Sequence, residues 1–266
     1  MTKSNQAYPT DLNDTEWAQI APYLPGPKPR GRPREVLWRE IMNGMFYVVK
    51  NGCVWRALPH DLPAWQTVYY YFRLFQKSQL WEKLNTILRE RVRVKEGRDP
   101  QASAMIIDSQ SAKSAEGGEK IGFDGGKRVK GRKRNLITDT IGLVILAKVT
   151  AANVQDVHAG KQTLEELRKR VELITRLQKI FADGGYRGEL VSWVKNELHA
   201  EMEIVLKLGE QKGFQLLPKR WVIERTNAWI SRNRRMARDY ERLTESSEAF
   251  IYILMIRLGL RRLVRT

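Results

Sequence analysis

The sequence predicts an α/β fold, in which a mixed sheet is flanked by helices and preceded by an all-helical domain. Two observations lead to this prediction. Apolar side chains recur at helical spacing before residue 95, whereas short apolar runs alternate with helical stretches after residue 100. The charged segment 89–100 separates these two patterns. We therefore expect a helical domain over residues 10–95 and an α/β domain over residues 100–266.

The helical domain has recognisable start and stop signals. Residues 13–16 have the spacing of a capping box ahead of a short helix, and Gly52 follows a helix predicted over 35–50. Two further apolar stripes lie at 65–75 and 80–88. The aromatic side chains of 65–75 could stack on nucleic-acid bases, but their helical spacing favours a place in the domain core.

The α/β domain alternates strands and helices. It begins with a strand over 105–107, which a β-hairpin follows, because Ile141-Gly142 separates two runs with strand character. The remaining elements follow from hydrophobic periodicity. The expected strands are 105–107, 135–140, 143–150, 179–182 and 203–208, and the expected helices are 157–174, 188–198, 219–238 and 246–262.

The chain is strongly basic. It has 47 Lys and Arg residues against 30 Asp and Glu residues, a formal net charge of +17 and an isoelectric point near 10.0. Such an excess of one sign repels itself in a compact fold, so it usually serves a polyanionic partner. Nucleic acid is the first candidate for this partner, and an anionic membrane surface is the second.

Three features weigh against a membrane protein and favour the cytoplasm. The apolar stretch 249–260 is interrupted by Arg257 and is too short to span a bilayer. Residues 1–16 lack the apolar core of a secretory signal. Cys53 is the only cysteine, so no intrachain disulfide can form, which fits a reducing compartment.

Three carboxylates are candidates for a metal site. Asp108 and Asp183 each directly follow the apolar residues of a predicted strand, where side chains reach the rim of a sheet. Glu224 lies on a predicted helix and would join them if that helix packs across the same rim. Mg²⁺ suits such a set, because it prefers oxygen ligands and keeps positions open for water and phosphate. Taken singly, each Asp is more often a turn former or a helix cap, and Glu224 is more often a solvated helix residue.

Two basic segments are candidates for contacts with phosphate. The run 126–134 precedes a predicted strand beside the expected site, so we favour phosphate contact over a solvated loop. The connector 27–34 carries Arg30 and Arg32 among prolines and a glycine. In this it resembles short extended segments that place arginines in a narrow minor groove of DNA. A plain tether is an equally open interpretation of the connector. The basic residues of the first run are Lys127, Arg128, Lys130, Arg132, Lys133 and Arg134.

Several segments resemble the catalytic core of bacterial insertion-sequence transposases, which are DDE enzymes with a ribonuclease-H-like fold. They are IIDSQSAK, GRKRNLITDTIGL, FADGGYRG and WVIERTNAWISRNRRMARDYERL, and the resemblance extends N-terminally through NGCVWRALPHDLPAWQTVYYYF. The group that they resemble is that of insertion sequence five. The resemblance implies that Asp108, Asp183 and Glu224 are the triad that binds two Mg²⁺ or Mn²⁺ ions.

The resemblance also bears on the helix that carries Glu224. In the wider superfamily this Glu is often framed by a preceding Tyr and Arg and a following Lys. Arg220 matches the Arg, whereas Leu217 and Ser231 stand where the Tyr and the Lys would be. The phosphate-binding role of this helix therefore falls on other arginines, among which the sequence does not choose. They are Arg225, Arg232, Arg234 and Arg235.

The function that the resemblance implies is cut-and-join movement of an insertion sequence. Water attacks the element end and frees a 3′-hydroxyl, which then attacks target DNA, and the same carboxylates serve both steps. The implied partners are the terminal inverted repeats, target DNA and a second copy of the chain that pairs the two ends, on the bacterial nucleoid. Two alternatives are an inactive transposase-derived DNA-binding regulator and a ribonuclease-H-like nuclease without strand transfer.

Overall fold

The computed structural model describes residues 7–26, 34–206 and 220–265. The helical part comprises α1 (Asp14–Ile20), α2 (Trp38–Asn51), α3 (Trp65–Lys77) and α4 (Leu80–Lys95). The strands are β1 (Ala104–Lys113), β2 (Gly122–Asp124), β3 (Val129–Asp139), β4 (Val144–Ala151), β5 (Lys179–Ala182) and β6 (Glu201–Ile204). The later helices are α5 (Asp156–Arg168), α6 (Glu189–Leu198), α7 (Arg220–Ser231) and α8 (Thr244–Val264).

The strands form one mixed sheet. β1 lies inside the sheet, antiparallel to β3 and parallel to β5, and β6 continues in parallel beyond β5. β2 and β4 both pair with β3 in antiparallel orientation. With the helical part ahead of this sheet and helices packed on it, the predicted fold class is confirmed. Because β1 and β5 are parallel, their C-terminal ends lead toward the same edge of the sheet.

Capping explains where the first helices begin and end. Asn13 Oδ1 accepts a hydrogen bond from the Glu16 backbone N–H at 2.7 Å, and the Glu16 carboxylate accepts one from the Asn13 N–H at 3.2 Å. Gly52 ends α2 in the left-handed conformation, with φ at 73°. A Cβ on this glycine would lie 2.9 Å from Cβ of Arg234, so the close approach of these two segments requires a glycine. Both predicted signals are confirmed.

The two faces of the sheet bury different residues of β1. Ile106 belongs to a hydrophobic core that it shares with α1–α4 and α8, whereas Met105 and Ile107 pack with α5 and α6 on the opposite face. Phe72 and Phe75 are buried in the first of these cores, so the aromatic stripe of α3 belongs to the core, as predicted. Within the described ranges, no helix combines the length and the apolar character needed to cross a membrane.

The helical part and the C-terminal helix share that first core. α8 is buried along most of its length and packs against α4, so it connects the two halves of the chain. The predicted core role of residues 246–262 is therefore confirmed. The division of the chain into domains over 10–95 and 100–266 stays a prediction.

Several element bounds differ from the prediction. β1 continues past Ile107 to Lys113, and β3 begins at Val129, so most of the basic run 126–134 is strand. Hydrophobic periodicity did not indicate these extensions, because the added positions are mainly polar or charged. The helices expected over 157–174 and 219–238 end at Arg168 and Ser231, and each is followed by a short 3₁₀ turn.

Glu248 on α8 predicts a pH-dependent stability. Burial raises the pKa of its carboxyl to about 7, against the opposing effects of Lys148 and of the hydrogen bond from the Val149 N–H. Since the folded pKa lies above the unfolded one, this group destabilises the fold increasingly as the pH rises from about 4.5 to about 7. We expect Glu248→Gln to raise the free energy of unfolding by about 1–3 kcal/mol at pH 8 and by almost nothing at pH 4. Urea denaturation at both pH values measures this, and a pH-independent gain would contradict it.

Candidate active site

Asp108 and Asp183 lie on neighbouring strands. β1 and β5 run parallel with Ile106 opposite Phe181, and Asp108 and Asp183 come two residues further along. Asp183 directly follows β5, as predicted, whereas Asp108 lies within β1 and not at its end. β1 continues because it stays paired with β3 as far as Lys113. The two carboxylates therefore start from adjacent positions of the sheet.

Backbone hydrogen bonds orient both carboxylates. The N–H of Ser109 donates to Asp108 Oδ1 at 2.7 Å, and the N–H of Gly185 donates to Asp183 Oδ1 at 2.8 Å. Asp183 thereby caps the 3₁₀ turn Gly184–Tyr186. A carboxylate has enough lone pairs to cap a turn and to bind a cation, so the capping role is compatible with a metal-binding one.

The buried hydroxyl of Tyr186 lies in the negative field of the nearby carboxylates. Its side chain is 1% exposed, and its hydroxyl makes no hydrogen bond of normal geometry with any residue that the structure describes. Burial, and then the negative charges of Asp108, Asp156 and Asp183, raise the pKa of this hydroxyl well above its usual value. The nearby Ser109 hydroxyl lowers that pKa. Three carboxylates thus act together on one buried hydroxyl.

Asp156 is the member of this group that sequence reasoning missed. It lies in the first turn of α5, and its Oδ1 accepts hydrogen bonds from Ser109 Oγ and Lys133 Nζ, each at 2.8 Å. A Cβ on Gly185 would lie 3.1 Å from Asp183 Oδ1 and 3.4 Å from Asp156 Oδ2, so two carboxylates flank that glycine. Aspartate is common in the first turn of a helix, where it interacts favourably with the helix dipole. No signal in the sequence separates Asp156 from such an ordinary helix start.

The C-terminal end of α7, the helix that carries Glu224, contacts β1. The Gln110 amide donates to Ser231 Oγ at 3.2 Å, which joins the end of α7 to β1. Ser231 comes about two helical turns after Glu224 and shares its flank, while Gln110 shares a strand face with Asp108. Between them on this flank, Asn227 has a buried side-chain oxygen that no described residue supplies with a hydrogen bond. Glu224 itself is exposed.

The three predicted metal ligands are only partly assembled. In the described part of the chain, no group of three or more His, Cys, Asp and Glu side chains is arranged to hold a metal ion. Asp108 and Asp183 nevertheless fit a hard divalent cation, because they present carboxylate oxygens from adjacent positions, near the buried Tyr186 hydroxyl. Glu224 is exposed on α7 and is not part of such a group among the described residues.

Two arginines predicted to contact DNA are instead buried in the fold. Arg132 and Arg134 are 0% and 1% exposed. Arg132 donates to Asp239 Oδ1 at 3.1 Å, and Arg134 donates to the backbone oxygen of Met236 at 2.9 Å. A phosphate cannot reach a guanidinium that is shielded from solvent, so the prediction is wrong for both residues.

Two further basic residues need the same correction. Lys133 and Arg235 are 5% and 7% exposed. Lys133 Nζ pairs with Asp156 Oδ1 at 2.8 Å, and Arg235 Nη2 pairs with Glu241 Oε1 at 2.6 Å. Each cation is paired with a carboxylate and shielded from solvent, so neither is available to DNA. Successive side chains of a strand point to opposite faces of the sheet, so Lys133 lies on the face opposite to Arg132 and Arg134. All three are buried, because other elements pack on both faces at this point of β3.

Arg225 is held between two indole rings. Its guanidinium carbon lies 4.6 Å from the ring centroid of Trp221 and 4.8 Å from that of Trp229. It also donates to the backbone oxygen of Ile141 at 2.9 Å, and burial lowers its pKa. The hydrogen bond to Ile141 fastens α7 to the turn between β3 and β4, which is a packing role that the sequence did not indicate.

Of the remaining basic residues, five are exposed, as contact with DNA requires, and three fall wholly or partly outside the residues that the structure describes. Lys127, Arg128 and Lys130 are exposed at the start of β3, and so are Arg232 and Arg234 after α7. Lys127 Nζ also donates to the backbone oxygen of Ser109 at 3.3 Å, so this exposed group adjoins the aspartates. Arg30, Arg32 and the side chain of Arg220 lie outside the described residues.

Comparisons with known proteins cover both halves of the chain. The family model described as "Transposase DDE domain" matches residues 99–258, and the one described as "Putative transposase of IS4/5 family" matches residues 12–85. The "Insertion element IS402 uncharacterized 16.2 kDa protein" of Burkholderia cepacia is 31% identical over 117 residues, which are 42% of this chain and 78% of that protein. The "Putative transposase for insertion sequence element IS402" of the same organism is 30% identical over 125 residues, 46% of this chain and 59% of that protein.

Proposed function

Because the chain belongs to the family of transposases with a DDE domain, we propose that Asp108, Asp183 and Glu224 are its catalytic triad. The protein is a DDE transposase, which cleaves DNA at insertion-sequence ends and transfers the strand into target DNA, with dependence on a divalent metal. The observation that carries the triad is the pairing of β1 with β5, which brings Asp108 and Asp183 to adjacent positions. Mg²⁺ or Mn²⁺, as two ions, is the cofactor that we propose for these oxygen ligands.

Each carboxylate has its own task in the proposed mechanism. Two bound cations would activate the attacking oxygen and stabilise the leaving one. Asp108 and Asp183 are fixed by β1 and by the 3₁₀ turn, so they present a rigid pair of ligands. Glu224 would supply the third carboxylate from α7. Water and then the 3′-hydroxyl of the cleaved strand are the attacking groups, so no side chain becomes joined to DNA.

We propose two exposed basic surfaces as phosphate contacts. The first consists of Lys127, Arg128 and Lys130, next to the aspartates, and the second of Arg232 and Arg234 after α7. The first surface adjoins the aspartates through Lys127, and the second follows the helix that carries Glu224, so a bound strand could pass over the carboxylates while its phosphates are neutralised. DNA binding itself follows from the family.

The helical part is proposed to recognise the terminal inverted repeats. Arg30 and Arg32 would lie in a narrow minor groove, and Arg220 would grip a phosphate near Glu224. Alanine at both Arg30 and Arg32 should weaken binding to element-end DNA, and unchanged affinity would contradict a minor-groove contact by the connector. We propose that two copies of the chain pair the two ends on the bacterial nucleoid, since both ends must meet before joining.

A labelled duplex that carries one element end tests the proposed function. With Mg²⁺ and a target plasmid, we expect cleavage at the end followed by joining, and neither product without a divalent metal. Binding should weaken steeply with salt, because phosphate contacts release counterions. Binding without cleavage would favour the inactive regulator, and cleavage without joining would favour the plain nuclease, so either result contradicts the proposal.

A further inference from the structure

A polar cluster lies next to the two aspartates of the proposed triad, and the mechanism above does not use it. Asp156, Lys133 and Ser109 belong to three different elements, α5, β3 and β1. Asp156 Oδ1 accepts hydrogen bonds from Lys133 Nζ and Ser109 Oγ, each at 2.8 Å. Lys133 Nζ also donates to the backbone oxygen of Val154 at 2.8 Å. Because Lys133 is 5% exposed, these contacts take the place of water around its charge.

The cluster reaches both aspartates through their backbone donors. Ser109 donates to Asp156 through its hydroxyl and to Asp108 through its N–H, the latter at 2.7 Å. On the other side, Asp156 Oδ2 lies beside Gly185, whose N–H donates to Asp183 Oδ1 at 2.8 Å. One carboxylate therefore accepts a hydrogen bond from Ser109 and lies near Gly185, the two residues whose N–H groups orient the carboxylates of the triad.

Charge is the second property of the cluster. Asp108, Asp156 and Asp183 all act on the buried Tyr186 hydroxyl, so three negative charges lie near one another. Lys133 offsets one of them from inside the sheet. If Asp156 lost its charge, the buried ammonium would be left uncompensated, which is costly in a protein interior. The same ammonium would then repel a divalent cation nearby.

We propose that Asp156 is a positioning residue of the transposase active site, which together with Lys133 orients Asp108 and Asp183 for cation binding. The proposal rests on the proposed triad. In this role Asp156 acts through Lys133 and Ser109, which its Oδ1 holds in place, and the double variant described below separates this role from direct binding of a cation. Outer partners of this kind typically change metal affinity by about 10–100-fold.

The test measures Mn²⁺ binding to the full-length chain without DNA, by an electron paramagnetic resonance titration. Asp156→Asn keeps the size of the side chain and an oxygen acceptor for Ser109, but it removes the negative charge that pairs with Lys133. We expect its Mn²⁺ affinity to fall about 10–100-fold, while its affinity for element-end DNA stays unchanged. The double variant Lys133→Met, Asp156→Asn also removes the ammonium, and we expect it to recover most of the affinity.

Two outcomes would overturn the proposal. One is an Asp156→Asn protein that binds Mn²⁺ as tightly as the wild type. The other is a double variant as weak as the single one, since that result would make Asp156 a direct ligand. An error in the triad assignment can be told apart from an error in the role of Asp156. If Asp183 is not a metal ligand, Asp183→Asn will bind Mn²⁺ like the wild type, whatever Asp156→Asn does.

Asp124→Asn is the matched control. Asp124 Oδ2 accepts a hydrogen bond from Ser111 Oγ at 2.6 Å. This is a second Asp–Ser pair, because Ser111 lies on β1 two residues after Ser109, the serine that pairs with Asp156. We expect this variant to bind Mn²⁺ like the wild type. An equal loss in both variants would mean that any nearby carboxylate matters, and it would also overturn the proposal. Thermal unfolding followed by circular dichroism confirms that each variant is folded before it is titrated.

Discussion

Asparagine in place of Asp108 or Asp183 is expected to slow element-end cleavage by at least about 10²–10³-fold, because each change removes a charge that stabilises the transition state. The substitution keeps the shape of the side chain and one oxygen, so the backbone hydrogen bonds from Ser109 and Gly185 can remain. What is lost is the negative charge that a divalent cation requires. Single-turnover cleavage at saturating enzyme and Mg²⁺ measures the effect, and a gel-shift titration shows that DNA binding is retained.

Glu224→Gln should have the same effect on cleavage if α7 delivers the third carboxylate. Glu197→Gln is a suitable control, since it removes one carboxylate from α6, where Glu197 pairs with Arg168. The control should cleave like the wild type. Full cleavage by Asp108→Asn, Asp183→Asn or Glu224→Gln would remove that residue from the triad, even if the other two variants were inactive.

The position of Asp183 could be predicted from the sequence, and that of Asp108 only in part. Both follow runs of apolar residues, and such runs mark buried strands whatever their partners are. The end of β1 could not be predicted in this way, because its last residues are held by pairing with β3 and not by burial of apolar surface. Glu224 was placed on the correct helix, but its distance from the aspartates depends on how α7 packs, which periodicity does not encode.

The basic run shows why charge in a sequence is a weak guide to exposure. Lys127, Arg128 and Lys130 are exposed, whereas Arg132 and Arg134 in the same run are buried. The difference is made by the segment around residues 236–242, which supplies carbonyl and carboxylate acceptors from more than a hundred positions away in the chain. Buried charges require such partners, and a sequence pattern does not show where they are.

Arg132→Met is therefore expected to destabilise the fold and not simply to weaken DNA binding. Arg132 donates to Asp239 Oδ1 at 3.1 Å and to the backbone oxygens of Glu119, Glu241 and Arg242 at 2.6–2.9 Å. Methionine fills much of the space but leaves the buried Asp239 without its cation. Removing one partner of a buried ion pair typically costs about 3–5 kcal/mol, and we expect a loss of that size in the free energy of unfolding, measured by urea denaturation.

Lys130→Met separates the two roles of the basic run. Lys130 is exposed on β3, two residues before Arg132, so its side chain emerges on the same face of the strand. We expect this variant to unfold like the wild type, to bind element-end DNA more weakly and to show a shallower dependence of affinity on salt, since one phosphate contact fewer releases one counterion fewer. If Arg132→Met instead kept full stability and lost DNA affinity, Arg132 would have to reach the DNA, and the ion pair with Asp239 could not be what holds β3 against the segment before α8.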